Sequence, residues 1–282
     1  MAERRITLKS QREIGLMREA DRIVADTLAL LADGAKPGVT TRELDALAWD
    51  YIRGQGAEPS FPLVNFNGAA CISVNNEIVH GIPGKRVLRE GDIVSLDLGV
   101  VYKGWHGDAA LTAPVGMMGA NAARLLDATK RALAIGITQV RPGAHLYDIG
   151  GAIEDYVAEL RLGLVRQYVG HGIGREMHEE PQVPNYRPEG KGRGPVLRSG
   201  MVIAIEPMVN LGGAATVALN DGWTVVTKDG SLSAHFEHSV AVTTTGYEIL
   251  SRPSDPTRMW GDPADYGLAP ETDIAQKREK LG

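Results

Sequence analysis

The sequence predicts an α+β domain assembled from two similar halves, and three observations predict it. The chain runs helix, helix, strands, and then repeats that order. The second helices of the two runs align at a constant offset of 105, "KPGVTTRELDALAWDYI" from Lys36 against "RPGAHLYDIGGAIEDYV" from Arg141. Acidic residues recur inside strand-like runs of both halves, where carboxylates are ordinarily depleted. Two such halves packed together make one α+β domain, with a cleft where their sheets meet.

The elements follow in order. Ser10 and Glu13 have capping-box spacing ahead of an apolar run through Ile14, Met17, Ile23, Leu28 and Leu31, and Gly34 can end it. Thr40 and Glu43 repeat the device before a second helix through Leu44, Leu47, Ala48 and Tyr51, ending near Gly54. From 61 to 115 the period changes. Gly and β-branched residues dominate, with turn signals at Pro83-Gly84 and Lys103-Gly104, which predicts an antiparallel sheet. Helical patterning returns over 120–136 and 146–162. A second strand-rich block runs from about Val165 to Leu250, with Asn220-Asp221-Gly222 and Lys228-Asp229-Gly230 as expected hairpin turns. One domain is thus expected over 1–251, its halves about 10–115 and 116–250. The Pro- and charge-rich stretch 252–282 is read as a C-terminal extension without chemistry.

Composition narrows the function classes. The 282 residues are 43% hydrophobic and 23% charged, enough for a substantial core and against wholesale disorder. With a net charge of −5 and no basic block, neither nucleic acid nor an anionic membrane is expected as main partner. One cysteine, Cys71, excludes an intramolecular disulfide and suits a reducing compartment. No apolar signal region or membrane-length run is seen, so a cytoplasmic protein is expected.

The chemistry lies in the misplaced acids. "IVSLDLGV" reads as a strand, yet Asp97 sits in its middle, and Asp108 follows in "GWHGDAALTA". A turn centred on Tyr102-Lys103 would place the two directly opposite each other, where like charges repel. Taken alone, the pair is better explained as a solvated strand face, since Ser95 shares it and exposed acids are common. The second half shifts that balance. Glu206 lies in "GMVIAIEPMV", a run apolar on both faces, and Glu237 lies in "LSAHFEHSVAV" between His235 and His238. His171 sits in "VGHGIGREMHEEP", where glycines at 170, 172 and 174 allow close approach of backbone or ligand. His178 follows it, and Glu179 and Glu180 read as helix- or loop-face acids. His80 lies beside a turn in "VHGIPG". Four carboxylates with imidazole suit hard or borderline divalent cations such as Mn²⁺, Fe²⁺ or Co²⁺. Four negative charges balance two such ions, which points to a dinuclear metallohydrolase with its substrate undefined.

Five stretches then carry a resemblance: "NNEIVHGIPG", "GDIVSLDLGVVYKGWHGDAA", "GHGIGREMHEEPQVPNY", "MVIAIEPM" and "DGWTVVTKDGSLSAHFEHSV". Together they resemble the type I methionine aminopeptidases, from roughly Ile6 to Ser251. The resemblance implies the pita-bread fold, an α+β architecture of pseudo-twofold halves. It implies that Asp97 chelates one metal, that Asp108 and Glu237 bridge two, and that His171 and Glu206 complete the second. The ions implied are Co²⁺, Mn²⁺ or Fe²⁺, with Zn²⁺ admissible. Glu206 would relay a proton, His178 would stabilise the oxyanion and His80 would bond the scissile amide, both histidines also contacting substrate. Phe66, Cys71, Met177 and Trp223, with Leu63 more plausibly ordinary core, would line the methionine slot. The implied reaction removes the initiator Met from nascent chains whose second residue is small. The implied partners are nascent N-termini and the ribosome, and the implied state is a monomer.

Three features depart from the commoner family pattern: Met177 in place of an aromatic residue, Leu63 and Phe66 in place of tyrosines, and His235 in place of Gln. His235 is expected to be an outer-shell partner or a spectator. A proline-specific peptidase of the same fold would need an additional N-terminal domain, for which Ser10 leaves no room. A type II enzyme would need an insertion between Glu206 and Glu237. A non-catalytic relative would have lost ligands.

Overall fold

Both predicted capping boxes form in the computed structural model, which describes residues 5–268. The hydroxyls of Ser10 and Thr40 accept the N–H of Glu13 and Glu43, whose carboxylates accept the cap N–H in return. They start α1 (Gln11–Gly34) and α2 (Thr41–Gly54). The short β1 (Glu58–Pro59) opens the sheet just before residue 61, and a 3₁₀ turn (Phe61–Val64) separates it from β2 (Cys71–Val74). Then come β3 (Glu77–Val79) and the long hairpin β4 (Ile93–Tyr102) and β5 (Trp105–Pro114). The second half supplies α3 (Ala120–Thr138), α4 (Leu146–Glu159), β6 (Gly163–Leu164), β7 (Gly170–Gly172) and β8 (Glu179–Val183). It continues through β9 (Val202–Ile205), β10 (Met208–Asn210), β11 (Thr216–Ala218), β12 (Val225–Thr227), β13 (Ser233–His235), β14 (Glu237–Val242) and β15 (Tyr247–Ile249). Two 3₁₀ turns, Pro256–Arg258 and Pro263–Tyr266, lie in the C-terminal extension. Residues 1–4 of the expected domain and 269–282 of the extension lie outside the described residues.

The principal sheet has nine strands in the order β1-β4-β5-β14-β9-β7-β8, with β2 also on β4 and β15 on β14. The halves therefore share one sheet, and they join where β5 meets β14, Glu237 opposite Ala110 and His238 opposite Ala109. α1 lies against β4 and β5, and α3 packs on α4. Gly107 faces α1 so closely that a Cβ there would stand 2.5 Å from the Asp21 nitrogen. Its neighbour Asp108 must point to the opposite face, because side chains alternate along a strand.

The repeat is visible in the backbone. α2 and α4 have 14 residues each and start and end 105 residues apart. Ahead of α2, Gly38 N–H bonds Leu88 O and Leu88 N–H bonds Val39 O. Ahead of α4, Gly143 N–H bonds Leu197 O and Leu197 N–H bonds Ala144 O. Gly91 bonds Val115 O as Gly200 bonds Val242 O. These pairs make β4 the counterpart of β9 and Asp97 the counterpart of Glu206.

Two turn assignments change. The β4–β5 hairpin is centred on Lys103-Gly104, both at positive φ (50° and 75°), the conformation of a two-residue type I′ turn. Asp108 therefore pairs with Gly99, and Asp97 with Ala110. The two acids are not directly opposite; they share a face as diagonal neighbours, at about 7–8 Å rather than about 5 Å. Lys228-Asp229-Gly230 turns the chain but makes no hairpin, since β12 pairs with β3 and β11 while β13 pairs with β10. Asn220-Asp221-Gly222 does lie in the β11–β12 hairpin loop. Glu179 and Glu180 stand in β8, not on a helix or loop face. Among the described residues no helix is long and apolar enough to cross a membrane.

Close approach of α1 to β5 sets a testable limit. Gly107→Ala is expected to cost about 1–3 kcal/mol by overpacking. Gly54→Ala, at a helix end with nothing within 4 Å of the new methyl, should be neutral or stabilising by up to ~1 kcal/mol. Urea unfolding of the two variants measures both.

Candidate metal centre

Five adjacent strands each deliver one polar side chain to a single cleft. In sheet order they are Asp97 on β4, Asp108 on β5, Glu237 at the start of β14, Glu206 just past the end of β9, and His171 on β7. Glu206 is thus not within a strand, as its run suggested; Pro207 follows it and the chain breaks before β10. The glycines around His171 serve backbone packing rather than ligand access. A Cβ at 170 would stand 2.2 Å from Ala204 O, and one at 172 would stand 2.2 Å from Glu180 O. β7 is narrow because it is wedged between β9 and β8.

The cleft has about 80 Å³ of space and is lined by all five groups. His80, His178, Phe66, Cys71, Met177 and Trp223 line it too, so the structure brings together the residues expected at the site, Leu63 excepted. Phe61 and Val64 join them without having been anticipated; their 3₁₀ turn carries no motif. Leu63, in the same turn, neither lines the cleft nor belongs to the core: it is 66% exposed. Phe66 packs edge-on against Phe61 and Trp223, with ring centroids 5.8 and 5.2 Å apart. A larger cavity of about 410 Å³ beside residues 5–9 contains none of these groups.

The electrostatics of the cleft are unfavourable as the protein atoms stand. Asp97, Asp108 and Glu237 are buried. Burial, then the charges of Asp108 and Glu206, push the Asp97 carboxyl well above its ordinary range. Burial and the neighbouring acids do the same to Glu237. Glu206 is pushed up to about 8, chiefly by burial, with His171 opposing and Asp108 adding to the rise. Among the described residues no lysine or arginine pairs with these acids, and their nearest basic groups are imidazoles. His171 Nε2 lies 3.6 Å from Asp108 and 3.7 Å from Glu206, and His235 Nε2 lies 3.9 Å from Glu206. Burial alone would lower His171 most, but Asp108, Glu206 and the Gly172 carbonyl together hold it above the usual imidazole value. Its Nδ1 meets the Gly172 carbonyl at 2.9 Å, so Nδ1 carries the proton and Nε2 offers a lone pair to the cleft.

That donor set fits divalent cations. Asp108, His171 and Glu237 offer ligand atoms all within 4.8 Å of one another. Asp108 Oδ1 and Glu237 Oε1 are buried without a hydrogen-bond partner, which is costly unless a cation completes them. The chemistry is oxygen-rich with one imidazole, and the thiol of Cys71, opposite Asp97 on β2, is held protonated by burial and by the Asp97 charge.

His80 and His178 are neutral groups at the rim. Burial lowers both, and His171 further lowers His178, whose ring lies 4.4 Å from it. His80 has φ of 60°, a left-handed backbone that positions its ring between Tyr168 and Trp223. His235 is 2% exposed, with neither ring nitrogen hydrogen-bonded, and burial drives it down to about 3. It stands as a neutral imidazole behind Glu206, 3.9 Å away. Asp21 was missed by sequence reasoning. It lies on α1, fully buried, and accepts the Asp108 N–H at 3.1 Å. Nothing in its helical run distinguishes it from a solvated acid.

Comparison with known proteins matches the profile of metallopeptidase family M24 to residues 15–244. Methionine aminopeptidase 1 of Bacillus subtilis (strain 168) is 51% identical over 248 residues, covering 88% of this chain and 99% of that protein. The methionine aminopeptidase of Clostridium perfringens is 49% identical, covering 87% and 98%. The crystal structure of methionine aminopeptidase from Rickettsia prowazekii superposes with a TM-score of 0.84 at 40% identity, over 88% of this chain and 100% of that one. Prolidase from Pyrococcus furiosus has a TM-score of 0.72 at 22% identity, covering 87% of this chain and 65% of that one, and shares the fold alone.

The buried acids predict an unusual stability response. In excess chelator, Glu237→Gln should melt higher than the unaltered chain, by about 2–4 °C for each kcal/mol of repulsion relieved. With Co²⁺ added the order should reverse. Differential scanning calorimetry of both proteins, with and without the ion, measures this.

Proposed function

Because the chain belongs to metallopeptidase family M24, and matches its methionine aminopeptidases over nearly their full length, we propose that it hydrolyses the first peptide bond of polypeptides beginning with Met when the second residue is small. The observation that carries this reading is the union in one cleft of an acidic cage and an apolar slot. Asp97, Asp108, His171, Glu206 and Glu237 would hold the cations. Co²⁺, Mn²⁺ and Fe²⁺ suit the donors, and Zn²⁺ is admissible. When bound, the ions supply an acidified water and a polarised carbonyl.

The chain's own residues do the rest. Phe61, Phe66, Met177 and Trp223 surround the Met side chain with apolar, polarisable surface. Cys71 is a small wall and not a nucleophile, since its thiol is kept protonated. Glu206 takes the proton of the attacking water and passes it toward the leaving nitrogen. His178, a neutral donor, stabilises the tetrahedral oxyanion, and His80 hydrogen-bonds the scissile amide. His235 supports Glu206 from behind. The partners on this reading are nascent N-termini, with docking at the ribosome. The protein works as a cytoplasmic monomer, and neither membrane nor nucleic acid takes part.

The test is a peptide comparison with the metal exchanged. Met-Ala-Ser should be cleaved in a Co²⁺- or Mn²⁺-dependent manner, and Ala-Pro peptides should not. Cleavage of the proline peptide alone, or cleavage indifferent to chelator, sinks the reading. His178→Ala should lower kcat by roughly 10²–10³-fold with a smaller change in KM. Cys71→Ser should keep most of the activity.

A further inference from the structure

The extension beyond β15 lies outside the stretch matched by the family profile, which ends at residue 244, yet it is tied to both halves of the domain. On α1, Ser254 bonds both oxygens of Asp26 at 2.6 and 2.7 Å. Arg258 grips Asp33 with two bonds of 2.8 Å and reaches the Ala29 carbonyl at 2.9 Å. On α3, the Arg131 guanidinium lies over the Tyr266 ring at 5.8 Å. Between these anchors Trp260, 5% exposed, stacks on His238 of β14 with ring centroids 4.9 Å apart and planes at 24°.

Trp260 meets the strand that carries Glu237, from the face away from the cleft. His238 Nε2 lies 2.6 Å from the Trp260 carbonyl, which can only accept, so Nε2 carries the proton. Nδ1 then accepts the Ser251 hydroxyl at 2.7 Å. The Trp260 indole N–H reaches the Glu237 carbonyl at 3.4 Å. These contacts fall on the join of the two halves. There β5 and β14 share only two residue pairs, against ten between β4 and β5. Just beyond them the join is held by the Ser239 hydroxyl, which bonds the Asp108 carbonyl at 2.9 Å. When both are ionised, Asp108 and Glu237 repel across this short ladder.

We propose that residues 252–266 form a strap across the β5–β14 join that fixes the spacing between Asp108 and Glu237 and so sets the cation affinity of the cleft. The proposal rests on the reading of those two residues as bridging ligands. Trp260 acts as a positioning residue through His238 and the backbone of Glu237.

The experiment titrates Co²⁺ by calorimetry into the unaltered chain, the chain ended after Ser251, and Trp260→Leu, with folding checked by circular dichroism at the same temperature. Both variants should bind Co²⁺ about 10–100-fold more weakly while still folded. Trp260→Phe, which keeps the stack, should recover most of the affinity. Unaltered affinity in folded variants, with only a lower melting temperature, overturns the strap. Should the truncated chain not fold, Trp260→Leu and Trp260→Phe decide by the same criterion. Absence of Co²⁺ binding by the unaltered chain would instead overturn the functional reading.

Discussion

Like charge held in a buried cleft is the constraint on which the structure turns. Four carboxylates converge from strands β4, β5, β14 and β9, with no lysine or arginine paired to them among the described residues. Such a cluster is stable only if the surrounding fold over-determines its position and a cation completes it. The shared nine-stranded sheet supplies that rigidity, because each acid sits on or beside a strand paired on both sides. A loop-borne site would let the acids relax apart.

The supports converge on the join between halves, where the charge is concentrated and the strand ladder is only two residue pairs long. Asp21 takes the main-chain N–H of Asp108 from one side, and Ser239 takes its carbonyl from the other. Both main-chain groups of this residue are thus held by side chains where no partner strand continues. A second clamp fixes the rim. Glu179 receives Lys9 and Thr7 on one oxygen and the Arg175 and Glu176 N–H groups on the other. That carboxylate pins the turn that carries Met177 and His178. The cost of ordering is concentrated near the chemistry, as expected where a site violates local strand preference.

Much of this was legible in the chain itself. Capping boxes at Ser10 and Thr40 announced α1 and α2 because their signal is local and reciprocal. The 105-residue offset placed the start of α4 at 146, although its expected end at 162 overshoots the observed Glu159. The four acids stood out because a carboxylate in an apolar strand needs a reason. Other features were not legible. Leu63 was offered for the slot by family position and read more readily as core, yet a 3₁₀ turn rotates it into solvent while Val64 lines the cleft. Asp21 and Trp260 act across 87 and 22 residues of sequence on the backbone or side chain of distant strands. Long-range contacts of that kind leave no periodic trace.

The sequence alone determined which residue types meet and on which face. Strand side chains alternate with period two, so moving the β4–β5 turn by one residue keeps Asp97 and Asp108 on the same side. Tertiary structure decided how far apart they stand. The left-handed conformations of Lys103 and Gly104 set the turn one residue later than expected, converting a direct opposition into a diagonal one with more room between the acids. It also decided what holds the two halves in register, since the strap, the α1 aspartate and the β5–β14 join exist only once distant segments are packed together.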